Sequence, residues 1–199
     1  MFKFIRKLIR KRIMGKVTEL RYTKIRGVKS PTRANPTDAG IDVYIPYDLT
    51  RVDINKMCEL TKRNIRATIS DQTGFVSNIQ VYAGEQLLLP LGLLFDIPEG
   101  YMLKVEDKSS VAVMKGLHVT AGVIDSSYEG ELILSMINVT NNNNPGEKVA
   151  TLTAGDKVAQ LVLVPVETPE LVEVQTRGEL FKEKNSARGD GGFGSTGNV

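Results

Sequence analysis

The chain has 199 residues, 41% of them hydrophobic, which is enough for one domain with a substantial core. Its single cysteine, Cys58, excludes an intramolecular disulfide, and its single histidine, His118, argues against a Ser-His-Asp triad or a multi-histidine zinc site. The formal net charge of +3 is uneven, because residues 1–29 hold eleven Lys or Arg and one acid, whereas residues 30–199 carry a net charge of −7. Catalysis would therefore rest on carboxylates, hydroxyls and cations in an acidic body.

Residues 1–16 are predicted to form a basic amphipathic extension. As a helix, Phe2, Ile5, Ile9 and Ile13 would share one stripe, with Lys and Arg largely opposite. Two interpretations stay open: a solvated tail, or a segment that contacts anionic membrane or nucleic acid. No apolar run reaches the roughly 18 to 20 residues of a membrane-spanning helix, so we expect a soluble protein.

Residues 17–186 are predicted to form one all-β domain, a sandwich or jelly roll, because short alternating runs are separated by Gly, Pro, Asn and Asp. Ser109–Gly116 is the only helix predicted in the body, with serine as its N-cap and glycine at its end. Residues 51–80 show no sustained period and are predicted to leave the core as an insertion. Asn141–Gly146 is predicted to be a polar turn. The predicted strands are Val17–Tyr22, Ile41–Ile45, Gln86–Leu89, Tyr101–Val105, Leu132–Val139 and Val158–Val166.

The glycine-rich C-terminus, residues 187–199, is predicted to be a mobile arm, since it cannot pack as a strand or helix on its own. Its stretch RGDGGFGSTG, residues 188–197, resembles the C-terminal signature of trimeric dUTPases. Four further segments resemble the same family in the same order. These segments are Pro31–Pro46, Asp107–Gly116, Gly122–Gly130 and Gly155–Leu161.

The resemblance implies a distorted jelly-roll fold and a homotrimer whose three active sites are each built from several subunits. It implies hydrolysis of dUTP to dUMP and pyrophosphate, which limits uracil in DNA and supplies dUMP for thymidylate synthesis. The additional segments on a compact core resemble a phage or viral member of the family. The expected location is the cytoplasm, or the host cell cytoplasm for a viral protein.

The third family segment implies the catalytic base. Asp125 ends the run GVID, and the resemblance makes it the group that activates water for attack on the α-phosphate; carboxylates are ionised at neutral pH. Tyr128 is implied to pack against deoxyribose and exclude a 2′-hydroxyl. The surrounding hairpin, Gly122 to Ile133, is implied to bind uracil largely through backbone groups. The substrate-binding residues implied there are Gly122, Val123, Ile124 and Ile133.

Other segments are implied to hold the triphosphate and Mg²⁺, the expected cofactor. Asp42 is implied to hold water on the triphosphate-bound magnesium. Lys108, Ser109 and Ser110 are implied to bind phosphate, through hydroxyl and helix N-terminal amide groups, and Gln160 to contact phosphate or nearby water. The family normally has arginine where Lys108 stands, and lysine offers a point charge instead of a bidentate fork.

The C-terminal arm is implied to close over the substrate. Arg188 would bind the γ-phosphate, Phe193 would stack on uracil, Ser195 and Thr196 would hydrogen-bond the phosphates, and Gly194 would allow close approach. Because ordering backbone costs about 1 to 2 kcal/mol per residue, the arm should close only when triphosphate contacts offset that cost.

Two other functional classes stay open on the sequence. A dCTP deaminase would share the fold, but it needs a glutamate where this chain has Ser135, and it lacks the arm that carries Phe193. A dUTPase-fold trimer with a structural or regulatory role could act through residues 51–80 or the basic N-terminus. Nucleic-acid binding by the folded body is not expected, because the body is acidic.

Overall fold

The computed structural model describes residues 17–63, 65–140, 149–182 and 190–191. The chain divides into two units, the first ending at Val166 and the second beginning at Glu167. In the described residues the first unit holds twelve strands and two helices, and the second holds one short helix. The elements are β1 Arg21–Lys24, β2 Ile41–Tyr44, α1 Arg51–Thr61, β3 Arg66–Ile69, β4 Val76–Tyr82, β5 Gln86–Pro90, β6 Leu93–Asp96, β7 Tyr101–Asp107, α2 Ser109–Lys115, β8 Leu117–Val119, β9 Val123–Ile124, β10 Ile133–Asn138, β11 Val149–Thr153, β12 Lys157–Pro165 and α3 Arg177–Leu180.

The strands pair antiparallel throughout the described residues, in four sheets of order β1-β6, β5-β10-β8, β11-β4-β3 and β2-β12-β7-β9. The expectation of an all-β body is confirmed. All six predicted strands overlap an observed one. The largest displacement is at the first, where pairing begins at Arg21 and not at Val17. In the described part of the chain, no helix has the length and apolar character needed to cross a membrane.

The core is built from the inward side chains of these strands. In β7, Leu103 and Val105 are buried while Lys104 between them is exposed, which is the period of two expected for a strand with one buried face. β12 contributes Val158 and Leu161, both with no solvent exposure. This packing holds the four-stranded sheet that carries the charged residues described below.

Helix α1 corrects the prediction that α2 is the only helix of the body. Thr50 is its N-cap: the Thr50 side chain accepts from the Asp53 amide, and the Asp53 carboxylate accepts from the Thr50 amide at 2.8 Å. Ile54 and Met57, three residues apart, are its buried residues. The sequence signal that was missed is this capping box, a threonine followed three residues later by an acid.

The rest of the predicted insertion, residues 51–80, also packs into the core, and the prediction that it leaves the core was wrong. Strands β3 and β4 pair with each other, and β4 pairs with β11. Val76 and Ile79 of β4 and Ile65 before β3 are buried. No single period was visible because a helix and two strands follow one another within this short stretch.

Candidate active site

Asp42 is a buried carboxylate in the middle of β2, with 3% of the residue exposed to solvent. Its backbone is held on both sides. It exchanges two backbone hydrogen bonds with Thr32, at 2.7 and 3.1 Å, and it is the register partner of Gln160 on β12. The position of the carboxylate is therefore determined by strand pairing before any ligand binds.

Two ammonium groups compensate the Asp42 charge. Lys108 Nζ lies 3.0 Å from one carboxylate oxygen and Lys157 Nζ lies 2.8 Å from the other. Burial raises the pKa of Asp42, but hydrogen bonds and charge interactions with Lys157 and Lys108 lower it more, so that the pKa lies below its ordinary value of 3.8. Asp42 in turn raises the pKa of Lys157. The group is thus an ionised carboxylate flanked by two cations.

Gln160 and Lys108 line a pocket of about 260 Å³ beside Asp42, together with Asp38 and Gly40. The Gln160 side chain donates from Nε2 to the backbone carbonyl of Asp107 at 2.8 Å. A Cβ at position 40 would lie 2.1 Å from Gln160 Oε1, so only glycine leaves room for the amide. Three of the predicted phosphate and metal residues, Asp42, Lys108 and Gln160, are therefore brought together.

Helix α2 begins next to this pocket, and its N-cap is Lys108, not the predicted serine. No side chain caps the helix, and Ser109 and Ser110 are exposed in its first turn. The helix ends at Gly116, whose left-handed φ of 65° is the predicted glycine ending. The exposed Ser109 and Ser110 hydroxyls are therefore accessible at the start of the helix.

Asp125 lies on an exposed turn directly after β9. Its carbonyl accepts from the Tyr128 amide at 3.1 Å, which closes the turn. At the other end of β9, the Gly122 carbonyl accepts from the Val105 amide at 2.8 Å, and a Cβ on Gly122 would lie 2.9 Å from the Val105 carbonyl oxygen. The glycine thus lets β9 approach β7 closely. Within β9, Val123 is 64% exposed, and Ile124 is half-buried.

Tyr128 is 44% exposed, so its ring is available to a ligand and is not a core side chain. Its hydroxyl donates to the Glu131 carbonyl at 2.7 Å, and the ring passes over Gly130, where a Cβ would lie 2.6 Å from that hydroxyl. Ile133, at the start of β10, is 37% exposed. The ring therefore has one defined place above the glycine.

The predicted hairpin from Gly122 to Ile133 is a loop between two sheets. β9 pairs with β7, whereas β10 pairs with β5 and β8. The hairpin implied by the family resemblance was wrong for one chain, because β9 and β10 each pair with strands that are distant in sequence. The loop is stabilised by hydrogen bonds of its own residues, among them Glu131.

The Asp42 pocket and the Asp125 turn lie apart within one chain. Asp42 and Glu106 both stand opposite Gln160 of β12, Asp42 on β2 and Glu106 near the end of β7. On the other side of β7, Ile124 of β9 stands opposite Leu103, and Asp125 is the residue after Ile124. At about 3.4 Å per residue and about 4.8 Å between strands, this register separates the two carboxylates by roughly 20 Å. One chain does not place them around a single phosphate.

Two charged residues in or beside the pocket were not predicted from the sequence. Lys157, within the segment Gly155–Leu161, forms an ion pair with Asp42. Asp38 lines the pocket, and its carboxylate accepts two hydrogen bonds from Asn35. Lys157 stands one residue before the buried Val158, and only the pairing of β12 with β2 brings it to Asp42. The predicted arm residues lie outside the described residues; they are Arg188, Phe193, Gly194, Ser195 and Thr196.

The donors present in the pocket fit a magnesium ion that a ligand brings with it. Within the described ranges, no three His, Cys, Asp or Glu side chains gather into a metal cage. Magnesium usually keeps several waters and is held by one or two carboxylates plus substrate phosphates. Asp42 and Asp38 supply such carboxylates, so the donor set agrees with a water-mediated contact.

The fold and the pocket define an all-β protein with a charged site centred on a buried carboxylate. The dUTPase family model matches residues 74–197. The deoxyuridine 5'-triphosphate nucleotidohydrolase of Mycolicibacterium gilvum (strain PYR-GCK) is 31% identical, over 84% of this chain and 86% of the relative. That of Anaplasma marginale (strain St. Maries) is 30% identical, over 92% of this chain and 99% of the relative. The chain belongs to the dUTPase family.

Solved phage structures have the same fold. A mutant Staphylococcus bacteriophage 80alpha dUTPase with dUpNHpp matches with a TM-score of 0.64 and 22% identity, covering 92% of this chain and all of that one. A mutant dUTPase from phage phi11 of S. aureus, whose structure reveals the coordination of a structural Mg(II) ion, matches with a TM-score of 0.56 and 22% identity, covering 81% and 99%. The expected dUTPase-type jelly roll is thereby confirmed.

Proposed function

We propose that this protein hydrolyses dUTP to dUMP and pyrophosphate. Family membership supports the activity. One observation of the structure indicates which residues would hold the substrate: a buried, ionised Asp42 lies between two lysines, next to a pocket of about 260 Å³. The cations would attract a triphosphate, and the paired strands hold them in place before it arrives.

In the proposed reaction Asp125 is the general base. Its exposed carboxylate takes a proton from water, and the resulting hydroxide attacks the α-phosphorus. A new bond forms between that oxygen and phosphorus, the bond to the oxygen bridging the α- and β-phosphates breaks, and pyrophosphate leaves. Tyr128, held over Gly130, would pack on deoxyribose and leave no space for a 2′-hydroxyl.

We propose Mg²⁺ as the cofactor, bound through water at Asp42. When bound with the triphosphate, the ion would neutralise phosphate charge. Lys108 and Lys157 would share their charge between Asp42 and the phosphates, and Gln160 would contact the phosphates or their water. The arm, with Arg188 and Phe193, stays a prediction for closure over the substrate.

We infer a homotrimer in which one subunit supplies the Asp42 pocket and another the Asp125 turn. The support is the roughly 20 Å that separates these carboxylates in one chain, estimated from strand register. A site that needs both groups at one triphosphate must draw them from two subunits. We further propose a cytoplasmic location, or the host cytoplasm for a viral protein.

The deaminase alternative loses support at Ser135. Its side chain is buried on β10 and hydrogen-bonds to Thr120 at 2.6 Å and to Gln86 at 3.1 Å. It is therefore engaged in the sheet and offers no carboxylate for acid-base chemistry.

The test is pyrophosphate release with Mg²⁺ from dUTP, compared with dCTP, dTTP and UTP. We expect cleavage of dUTP alone, and a fall of about 10² to 10⁴ in kcat for Asp125→Asn with little change in KM, because the lost group acts on the reacting water. Ammonia release from dCTP, or a folded oligomer inert towards dUTP, would overturn the proposal. Inertness would make a structural or regulatory role the better account.

A further inference from the structure

Arg26 joins two acids from distant parts of the chain. Its Nε donates to Glu131 Oε1 at 2.7 Å, and its Nη2 donates to Asp53 Oδ1 at 2.8 Å. The three side chains are only 18 to 22% exposed. Charge-assisted hydrogen bonds in such surroundings are strong and directional, so the guanidinium fixes where both carboxylates lie.

Glu131 connects this pair to the tyrosine of the active-site turn. Its Oε1 also accepts from the Gly92 amide at 2.8 Å, and its backbone carbonyl accepts from the Tyr128 hydroxyl at 2.7 Å. The next residue, Leu132, is held by two backbone hydrogen bonds of 2.9 Å to Leu91 and Leu93. Glu131 is thus the anchored residue that joins the turn, which holds Tyr128 and Gly130, to the sheet.

The direction in which the turn leaves the sheet consequently depends on how the Glu131 side chain is held. Without Arg26, the Glu131 carboxylate would keep the Gly92 amide but lose its cationic partner. The turn would retain the Tyr128 amide bond to Asp125, which moves with the turn and does not tie it to the sheet. The ring over Gly130 would then have more than one accessible position.

We propose that Arg26 is a positioning residue that sets the place of Tyr128 through Glu131 and so sharpens the choice between deoxyribonucleotide and ribonucleotide. The inference rests on the proposed function for its substrate and on geometry for its mechanism. Arg26 precedes the residues matched by the family model and lies outside every segment that carried the family resemblance.

The experiment compares kcat/KM for dUTP and UTP in Arg26→Met, which keeps the aliphatic stem and removes the charge. We expect the dUTP to UTP ratio to fall about tenfold, the effect of losing one charge-assisted hydrogen bond. Arg26→Lys should recover part of the ratio, because an ammonium can reach one carboxylate. The matched control is Arg66→Met, which breaks the ion pair between β3 and Glu85 in the turn after β4 and should leave the ratio unchanged.

Asp53→Asn separates the two contacts of Arg26. It keeps the bond to Glu131 and weakens the one to α1, so the ratio should stay within about twofold of wild type. An equal fall in Asp53→Asn and Arg26→Met would overturn the proposal, since the effect would then follow the anchoring of α1 and not that of Glu131.

Hydrogen exchange provides a measurement that does not depend on activity. In Arg26→Met, amide exchange across residues 125–131 should accelerate while exchange in the paired strand Ile133–Asn138 stays at the wild-type rate. An unchanged loop, or equal acceleration of both segments, would overturn positioning. If the wild-type protein does not cleave dUTP, the proposed function fails, while the exchange experiment still decides whether Arg26 orders the turn.

Discussion

The Asp42 pocket and the Asp125–Tyr128 turn are held in opposite ways. In the pocket, a buried carboxylate sits in the middle of a paired strand, with a lysine on each oxygen. In the turn, the carboxylate and the ring are exposed, and the supports are a few hydrogen bonds within the loop and the anchored Glu131. The pocket has its charges arranged in advance, whereas the turn depends on local contacts.

The Asp42 pocket has its parts together within one chain, whereas the Asp125 turn does not face it. The charges of the pocket are held by strand pairing and by Asp42, so their positions are set before a substrate binds. The turn presents its groups to solvent, roughly 20 Å from that pocket by strand register. Its exposed groups are therefore available to a substrate held by a neighbouring subunit.

The largest predicted effect is complementation between inactive subunits. Asp42→Asn and Asp125→Asn homotrimers should each lose activity by about 10² or more. After the two are unfolded together and refolded, about a quarter of the sites in random trimers would pair an intact pocket with an intact turn. Pyrophosphate release should therefore recover to about a quarter of the wild-type rate per site.

A site complete within each subunit would give the opposite result. Random mixing would then leave every site with one lesion, and activity would stay at the level of the separate variants. The double variant Asp42→Asn/Asp125→Asn, refolded in the same way, sets the background activity, and wild-type protein taken through the same cycle measures refolding losses.

The strand positions and most pocket residues were predictable because both leave local traces. Alternating burial marks β7, and the family resemblance pointed to Asp42 and Gln160. Lys157 was missed because a lysine beside buried residues is usually a solvated charge, and only the pairing of β12 with β2 places it at Asp42. The Arg26 contact with Glu131 spans 105 residues, and no local pattern encodes it.

The second prediction concerns the charge balance of the pocket. Asp42→Asn should lower the free energy of unfolding by about 2 kcal/mol at pH 7, because the ion pairs with Lys108 and Lys157 are lost and two ammonium groups stay without their counter-charge. The pKa of Asp42 is lowered in the folded protein, so its contribution is fully present above the unfolded value of about 3.9 and is lost as pH falls through the folded pKa.

Urea unfolding at constant protein concentration, from pH 7 down to pH 3, measures this contribution. The difference between wild type and Asp42→Asn should be constant at neutral pH and shrink below about pH 4. Asp71→Asn, at an exposed aspartate, is the matched control and should follow wild type. A difference that grew on acidification would contradict the ion-pair account.

Gly40→Ala tests whether the close packing of Gly40 against the Gln160 amide matters for substrate binding. The new Cβ would lie 2.1 Å from Gln160 Oε1, so the amide must move and give up its bond to the Asp107 carbonyl. We expect KM for dUTP to rise about tenfold, with less change in kcat, because one phosphate contact and the pocket shape are lost. Gly178→Ala, whose Cβ meets only Thr176 at 4.0 Å, should leave KM unchanged. An unchanged KM for Gly40→Ala would remove Gln160 from the binding site.

Helix α1 was not predicted from the sequence for a physical reason. It is short, its buried side chains Ile54 and Met57 make one contact stripe only, and its start is defined by side chains and not by hydrophobic period. Its N-cap shares Asp53 with Arg26, whose other contact is Glu131. The helix start and the base of the turn are therefore parts of one polar cluster.

Thr50→Ala gives the smallest predicted effect and tests that cluster from the helix side. Removing the cap should lower the free energy of unfolding by about 1 kcal/mol, since the Asp53 amide loses its acceptor and its carboxylate loses the hydroxyl. Thr176→Ala removes the equivalent cap of α3, a helix with no buried residue, and should change stability by less than about 0.5 kcal/mol. Denaturant unfolding at constant protein concentration separates these values.

The same variant should not change the ratio of kcat/KM for dUTP to that for UTP, because the Asp53 carboxylate still binds Arg26 in Thr50→Ala. A fall in that ratio would mean that capping of α1, and not the Glu131 anchor alone, controls the turn.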